Sequence, residues 1–390
     1  MECFAEFQDA GAGSGMKRRI LFLHLGNDFG GIEVYMSNLA TLLREDAEIV
    51  ALCSHPKLIE LLKAQAVHVV RLPLIEGPLR AVRFLLAAVL LPFIVWKHGI
   101  DTVHINGHWE SMLLGPARLL GCRAITTRHQ TWDIPLRHWW HAPKRSLASV
   151  IYNFNARFAN LVICVSEAVA SEVRCVVAAD KIVVIPNWIS CSSYFVHRLK
   201  HGGKTRLLFI GRMVIFKGLQ LLLEAMRGIP EVSLTVVGDG AMLTEFQKQA
   251  AGLNVIFAGF HQDVRPFYDA AEIFVMPSIG LEGLPLVSLE AMGNGLPCLF
   301  SDLPVHHEIT DGGRTAGLFR TGDAADLKQQ LCSLIGDQTQ RDKIARAAYE
   351  RVQALYTADA AHGNYLKAFD LVPAAIFNAR PELLPGAARG

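Results

Sequence analysis

Of 390 residues 51% are hydrophobic and 19% charged, which excludes a disordered chain, and the length suits two compact units better than one. A formal net charge of +2 gives no overall field of the kind that draws nucleic acid. Eight scattered cysteines form no C-x2-C pair, which argues against a disulfide framework or structural zinc site and fits a reducing cytoplasm.

Residues 1–15 lack a basic-then-apolar signal pattern and read as an extension without fold content, with "MKRRILFLHLG" from Met16 the more natural beginning. "RILFLHL" is then a predicted strand, Ile32, Tyr35, Met36, Leu39, Leu42 and Leu43 recur at helical spacing, and "EIVALCS" is a strand again. Such alternation predicts a parallel sheet covered by helices. The intervening "GNDFGGIEVYM" places glycines at Gly26, Gly30 and Gly31, not in the G-x-G-x-x-G register, which disfavours a nicotinamide site. Gly30 and Gly31 at a helix N-terminus can still present bare amides to a phosphate or a reacting sugar.

"FLLAAVLLPFIVW", Phe84 to Trp96, is shorter than the roughly twenty apolar residues needed to span a bilayer. Two readings stay open: a buried helix kinked at Pro92, or a helix resting on a membrane surface through Arg80, Arg83, Trp96 and Lys97. Further strands at "HVVRLPL", "DTVHIN", "RAITTRH", "NLVICVS" and "KIVVIP" complete one doubly wound unit. Its loops carry His104, His108 two residues beyond Asn106, and His129, each either structural or close to a reaction centre. Between Arg137 and Phe158 indoles mix with cations, which suits lipid headgroups, a stacked glycan or ordinary packing.

Residues 188–203 read as a linker. A second series follows, with strands at "TRLLFIG", "VSLTVVG", "NVIFAGF", "EIFVMPS" and "PCLFS" and closing helices "LKQQLCSLIG" and "RDKIARAAYERVQAL". The predicted fold is therefore α/β, with two Rossmann-like doubly wound domains, 16–187 and 204–355, facing across a cleft. A C-terminal helix at 356–372 packs back toward the first domain, and 373–390 is a mobile tail.

Open α/β sheets bind ligands beyond the carboxyl ends of their strands, so the loops there carry the chemistry. Arg212 directly after a strand and Lys217 at a helix start, flanked by Gly211 and Gly218, suit a diphosphate or are ordinary loop charges. Gly238-Asp239-Gly240 is a plain turn or leaves room for a nucleotide base; Asp239 has no second carboxylate nearby to hold a metal. Pro285 starts a helix, leaving Glu282 and Gly283 in the loop and Glu290 one and a half turns inside. An ionised carboxylate accepts two hydroxyl donors, the chemistry that holds the vicinal diols of a hexose or a ribose.

Together "FIGRMVIFKGL", "VVGDGAM", "VIFAGFHQDVRPFYDAAEIFVMPS", "LEGLPLVSLEAMGNGLPCLFSD" and "HEITDGGRTAGLF" resemble, in order, the retaining family-4 glycosyltransferases of GT-B architecture. The match is strong from Arg206 to Arg320 and fainter in the first half, through "GNDFGGIEVYMSNLA", "DTVHINGHW", "TTRHQ", "CVSEAV" and "IPN". The resemblance implies that Arg212 and Lys217 bind the donor diphosphate, Glu282 the donor sugar and Glu290 the ribose, with Gly238, Gly283 and Leu284 in the same donor set. It implies too that Gly30 and Gly31 let the backbone approach donor and acceptor. Family members often carry H-x-H where this chain has His104 and Asn106, so Asn106, His108 or His129 stands in for the second imidazole.

The implied activity is retaining transfer of a hexosyl group from a nucleotide-diphosphate sugar to a hydroxyl of a glycan or lipid-linked acceptor, in envelope or extracellular polysaccharide or glycolipid synthesis. No metal or other cofactor and no nucleic acid is expected. Peripheral membrane contact through 80–97 and 137–158 would place the protein in the cytoplasm at the inner face of the plasma membrane. Alternatives on the same scaffold are a sugar-nucleotide epimerase or hydrolase, and an inactive glycan- or lipid-binding module.

Overall fold

The structure, a computed structural model, describes residues 17–371 apart from 28, 76–79, 132–141, 191–194, 196–202 and 281. The extension at 1–15, the tail at 373–390, most of the linker and the tryptophan pair in the 137–158 segment lie outside the described residues.

In the first half the chain runs β1 (Arg18–His24), α1 (Gly31–Leu43), β2 (Ala47–Cys53), α2 (Pro56–Ala64), β3 (His68–Arg71), α3 (Arg80–His98) and β4 (Thr102–Asn106). It continues through α4 (Leu114–Leu119), β5 (Arg123–Arg128), α5 (Ala142–Ala156), β6 (Leu161–Cys164), α6 (Glu167–Val173) and β7 (Ile182–Val184). Every pairing in this seven-stranded sheet is parallel, in the order β3-β2-β1-β4-β5-β6-β7. The order reverses between β1 and β4, and a crevice opens where strand order reverses. His24 and Asn106, the last residues of those two strands, stand at its floor.

The second half holds β8 (Thr205–Ile210), α7 (Leu219–Met226), β9 (Val232–Val237), α8 (Leu243–Gln249), β10 (Val255–Gly259), α9 (Arg265–Ala270) and β11 (Ile273–Met276). Then come α10 (Leu286–Gly293), β12 (Cys298–Ser301), α11 (Pro304–Ile309), β13 (Gly317–Phe319), α12 (Ala324–Gly336), α13 (Gln338–Leu355) and α14 (Ala358–Ala368). Its six parallel strands follow the order β10-β9-β8-β11-β12-β13. The reversal lies between β8 and β11, so the loops holding Arg212 and Ser278 face each other. The edge strand β13 adds to the five strands expected from the sequence; its three residues, Gly-Leu-Phe, are too short to show alternation.

Strands buried on both faces explain the near-continuous apolar runs, since helices cover each side of the sheet. Of the first domain's two cores, one packs α1, α2 and α14 against the sheet; the other continues into the second domain, joining Val165 and Ile189 with Leu284 and Leu289. Helix α14 returns to the first domain, where the Tyr365 hydroxyl donates to that of Tyr35 at 3.0 Å beside Trp188. The wholly buried reading of α3 does not hold. Ala87, Leu91 and Ile94 are buried, whereas Leu85, Val89, Phe93 and Trp96 face outward.

Candidate functional site

Gly211 follows β8 and delivers Arg212 into the crevice; the turn after β9 backs onto it, because a Cβ on Gly238 would sit 2.1 Å from the Gly211 carbonyl oxygen. Lys217 ends a short 3-10 turn, Ile215–Lys217, and Gly218 follows at φ +76°, a conformation glycine adopts without strain. A Cβ on Gly218 would lie 1.7 Å from the Pro277 carbonyl oxygen, so its absence seats Lys217 against the loop after β11.

That loop carries Glu282. Lys217 Nζ donates to Glu282 Oε1 at 2.7 Å, and Ser278 Oγ donates to the same oxygen at 2.7 Å. The two charged side chains are only 15% and 6% exposed. Burial alone would raise the Glu282 carboxyl, but the adjacent Lys217 ammonium and the hydrogen bonds from Lys217 and Ser278 outweigh it and hold the group below its ordinary value. Glu282 is therefore ionised and acceptor-only. Arg212 is exposed, its guanidinium 5.8 Å from the Phe216 ring centroid.

Glu290 lies on α10, and its Oε2 accepts from the Tyr268 hydroxyl at 2.8 Å. Burial raises the Glu290 carboxyl, with the Tyr268 hydrogen bond pulling the other way. The sequence reading missed Tyr268, which is 22 positions away and meets Glu290 only once α9 packs on α10.

The first-domain floor is a second charged network. His24 Nε2 donates to Glu33 Oε1 at 2.6 Å and Nδ1 donates to the Asn106 carbonyl at 2.7 Å, with Glu110 Oε1 3.9 Å from Nδ1. Burial disfavours charge on this imidazole, yet the Glu33 hydrogen bond and the two carboxylates prevail and lift it to about 9. Glu33 Oε2 also accepts from Gly30 N at 2.8 Å, and Glu110 Oε1 accepts from Leu25 N at 2.9 Å, so both acids strap down the 24–30 loop. None of the three was singled out from sequence. Glu33 left one signal, an acid among apolar neighbours three residues after a helix-starting glycine.

Asn106 is fully buried. Its Oδ1 accepts from His129 Nε2 at 3.0 Å, which fixes the proton of that imidazole on Nε2 and leaves Nδ1 as acceptor. Burial first, then the neighbouring imidazoles and Arg128, holds His129 far below the usual histidine value. His104 is equally buried, pushed down to about 3, and shares a 2.7 Å contact with Thr127 Oγ1. His108 packs edge-on against Tyr152.

A cavity of about 610 Å³ lies over this floor. It brings together Gly30, Gly31, His108 and Arg212 from among the sequence-derived candidates and adds His24, Glu33 and Glu110. Asn106, Lys217, Gly238, Glu282, Gly283, Leu284 and Glu290 are not in its lining. The Glu282 loop instead closes against the first domain beside it. A Cβ on Gly283 would fall 2.0 Å from the His129 carbonyl oxygen, Thr131 Oγ1 donates to Glu282 O at 3.2 Å, and Asn187 Nδ2 donates to Leu284 O at 2.8 Å. Among the described residues no group of three or more His, Cys, Asp or Glu side chains is placed to hold a metal ion. Among the described residues the charges at the site include Arg83 and Arg212, which line the cavity, the Lys217–Glu282 pair and the His24 network.

Residues 204–337 match the family described as glycosyl transferases group 1, and residues 29–193 match glycosyltransferase family 4. Sulfoquinovosyl transferase SQD2 of Arabidopsis thaliana is 33% identical over 163 residues, 40% of this chain and 32% of that protein. The phosphatidyl-myo-inositol mannosyltransferase of Mycobacterium leprae is 32% identical over 160 residues, 39% of this chain and 42% of that one. The chain thus spans less than half the length of these relatives. Among solved structures, HepE of Anabaena in complex with UDP and glucose superimposes with a TM-score of 0.77 at 19% identity, covering 91% of this chain and 100% of that one. Sucrose-phosphate synthase of Thermosynechococcus elongatus does so with a TM-score of 0.77 at 19% identity, covering 91% and 98%. At such identity the likeness shows a shared fold.

Proposed function

This chain belongs to the family-4 glycosyltransferases of GT-B architecture, and from that premise we propose that it moves a hexosyl group from a nucleoside-diphosphate sugar to a hydroxyl of a glycan or lipid-linked acceptor, with retention and without a metal ion. One observation carries the reading: Lys217 Nζ and Ser278 Oγ converge on a single carboxylate oxygen of Glu282, each at 2.7 Å, at the reversal point of the second sheet. A diphosphate entering that point is drawn to Lys217 and Arg212. As it takes over the ammonium, the Glu282 carboxylate is released to accept sugar hydroxyls, so donor binding exchanges one partner for another without leaving a buried charge alone.

In the reaction the bond from the anomeric carbon to the phosphate oxygen breaks while the acceptor oxygen bonds that carbon on the same face. The acceptor proton goes to the departing phosphate. Negative charge grows on that phosphate, where Arg212 and Lys217 stand ready; one such preorganised donor is worth roughly 3 kcal/mol of barrier. Glu290, oriented by Tyr268, takes the ribose hydroxyls, and the cavity with Gly30, Gly31 and His108 receives the acceptor. Asn106 acts from beneath by fixing the His129 tautomer. The names of the sulfoquinovosyl and mannosyl relatives support sugar transfer, and the phosphatidyl-myo-inositol named for the second supports a lipid-linked acceptor.

The test is incubation with labelled nucleotide sugars in EDTA, with and without glycolipid acceptors. The expected result is release of nucleoside diphosphate that depends on acceptor, with the donor's anomeric configuration kept in the product by proton NMR. Acceptor-independent products would instead mark an epimerase or hydrolase, and donor binding without release across many acceptors would mark an inactive binding module.

A further inference from the structure

Helix α3 is bound to its sheet by one face, and among the described residues nothing covers the other. Leu85, Val89, Phe93 and Trp96 follow one another at spacings of three and four, and are 65%, 67%, 54% and 80% exposed. Single exposed apolar side chains are ordinary, but a sustained stripe of large ones on one helix marks an interaction surface. The same side of the first domain repeats the feature on α5, where Val150, Phe154 and Phe158 are also exposed and the last two rings pack edge to face.

The charge around these stripes decides what they meet. Among the described residues of 80–160 the exposed charged side chains are all basic, Lys97, Arg118 and Arg157, while Arg83, Arg128 and Glu110 are buried and Asp101 is half-buried. Lys97 lies 5.7 Å from the Phe93 ring centroid beside Trp96, an aliphatic stem along apolar surface with its ammonium free to reach polar headgroups. Arg118 and Arg157 are exposed at the ends of α4 and α5. Two copies meeting through this face would bring like charges together, whereas an anionic bilayer satisfies both its apolar and its basic character.

We propose that this face of the first domain, centred on the Leu85–Trp96 stripe of α3, docks on the surface of an anionic lipid bilayer without crossing it. Among the described residues no helix is long and apolar enough to span. The cavity lies next to the docked face, because Arg83 and Phe84 of α3 line it together with Trp109 and Met112 of the 3-10 turn Glu110–Leu113 and the residue before it. Docking therefore brings the acceptor chamber to the headgroup layer.

Sedimentation with large unilamellar vesicles tests this without any donor or turnover, so its outcome stands apart from the transferase reading. The full chain is expected to pellet with phosphatidylcholine vesicles containing phosphatidylglycerol, to pellet much less with phosphatidylcholine alone, and to be released by salt. Leu85→Asp combined with Trp96→Asp should cut partitioning by about tenfold or more at an unchanged melting temperature. Trp96→Ala serves as the milder variant should the double one misfold, and Trp96→Phe should keep most binding. Equal partitioning of wild type and double variant overturns the proposal. So does a lipid-free dimer in analytical ultracentrifugation that the same substitutions dissociate, which would assign the face to a second copy.

Discussion

His24 donates from both ring nitrogens, to Glu33 and to the Asn106 carbonyl, and the buried imidazole is lifted from 6.5 to about 9. A raised folded-state value means that the proton stabilises the fold. This contribution is complete below pH 6.5, fades as pH rises and is lost above about 9, with a slope approaching ~1.4 kcal/mol per pH unit between. Glu33 is held below its ordinary 4.5, so its share is present above that value and vanishes in acid. His24→Asn should lower the melting temperature at pH 6.5 and flatten its decline between pH 6.5 and 9.5, read by calorimetry across that range. An unchanged decline would mean that His24 is neutral. Lys217→Ala acts differently. It strands the buried Glu282 carboxylate, so we expect a stability loss of roughly 3 kcal/mol by chemical denaturation, which Glu282→Gln added to Lys217→Ala should largely restore.

Helix α10 and the loop before it show how an element presents a side chain. Pro285 precedes Leu286–Gly293, and the Glu290 carboxylate is aimed by Tyr268 of α9. Tyr268→Phe removes that aim without changing shape. The donor KM should rise several-fold with kcat little altered, and steady-state kinetics with saturating acceptor would show it; a fall in kcat alone would contradict a ribose-side role. At this scale the strands were legible because both-face burial writes them as apolar runs, and the loops after β8, β9 and β11 because their glycines, cations and acids cluster within a few positions. Helix α3 was legible as apolar and too short to span a bilayer, but the choice between a buried and a surface-resting helix stayed open, since its outward stripe is followed by an almost equally apolar inner face. Glu110 and Tyr268 were illegible for another reason: each is an isolated polar residue whose partner is remote in sequence, 85 positions for Leu25 and Glu110 and 22 for Tyr268 and Glu290, whereas His24 and Glu33 pair across only nine positions. The parallel register that sets β1 beside β4 brings His24 and Leu25 to Asn106 and Glu110.

The two domains are held in register by a few specific contacts. Glu308 of α11 accepts from Glu167 N at 3.0 Å and Ala168 N at 3.3 Å, at the start of α6. Gly283 meets the His129 carbonyl so closely that no side chain fits. Gly283→Ala should push the lobes apart there, raising the radius of gyration in small-angle scattering and cutting transfer at least tenfold, while each domain keeps its helical circular dichroism. Identical scattering and activity would show that the contact is incidental. The central claim, that fixed cations at the second sheet's reversal point carry the departing diphosphate, is most directly tested by Arg212→Ala. Arg212 is exposed, so its loss should leave the melting temperature unchanged. Nucleoside diphosphate release, measured in EDTA with saturating donor and acceptor, is expected to fall about 100-fold; a variant that turns over at the wild-type rate would contradict the assignment.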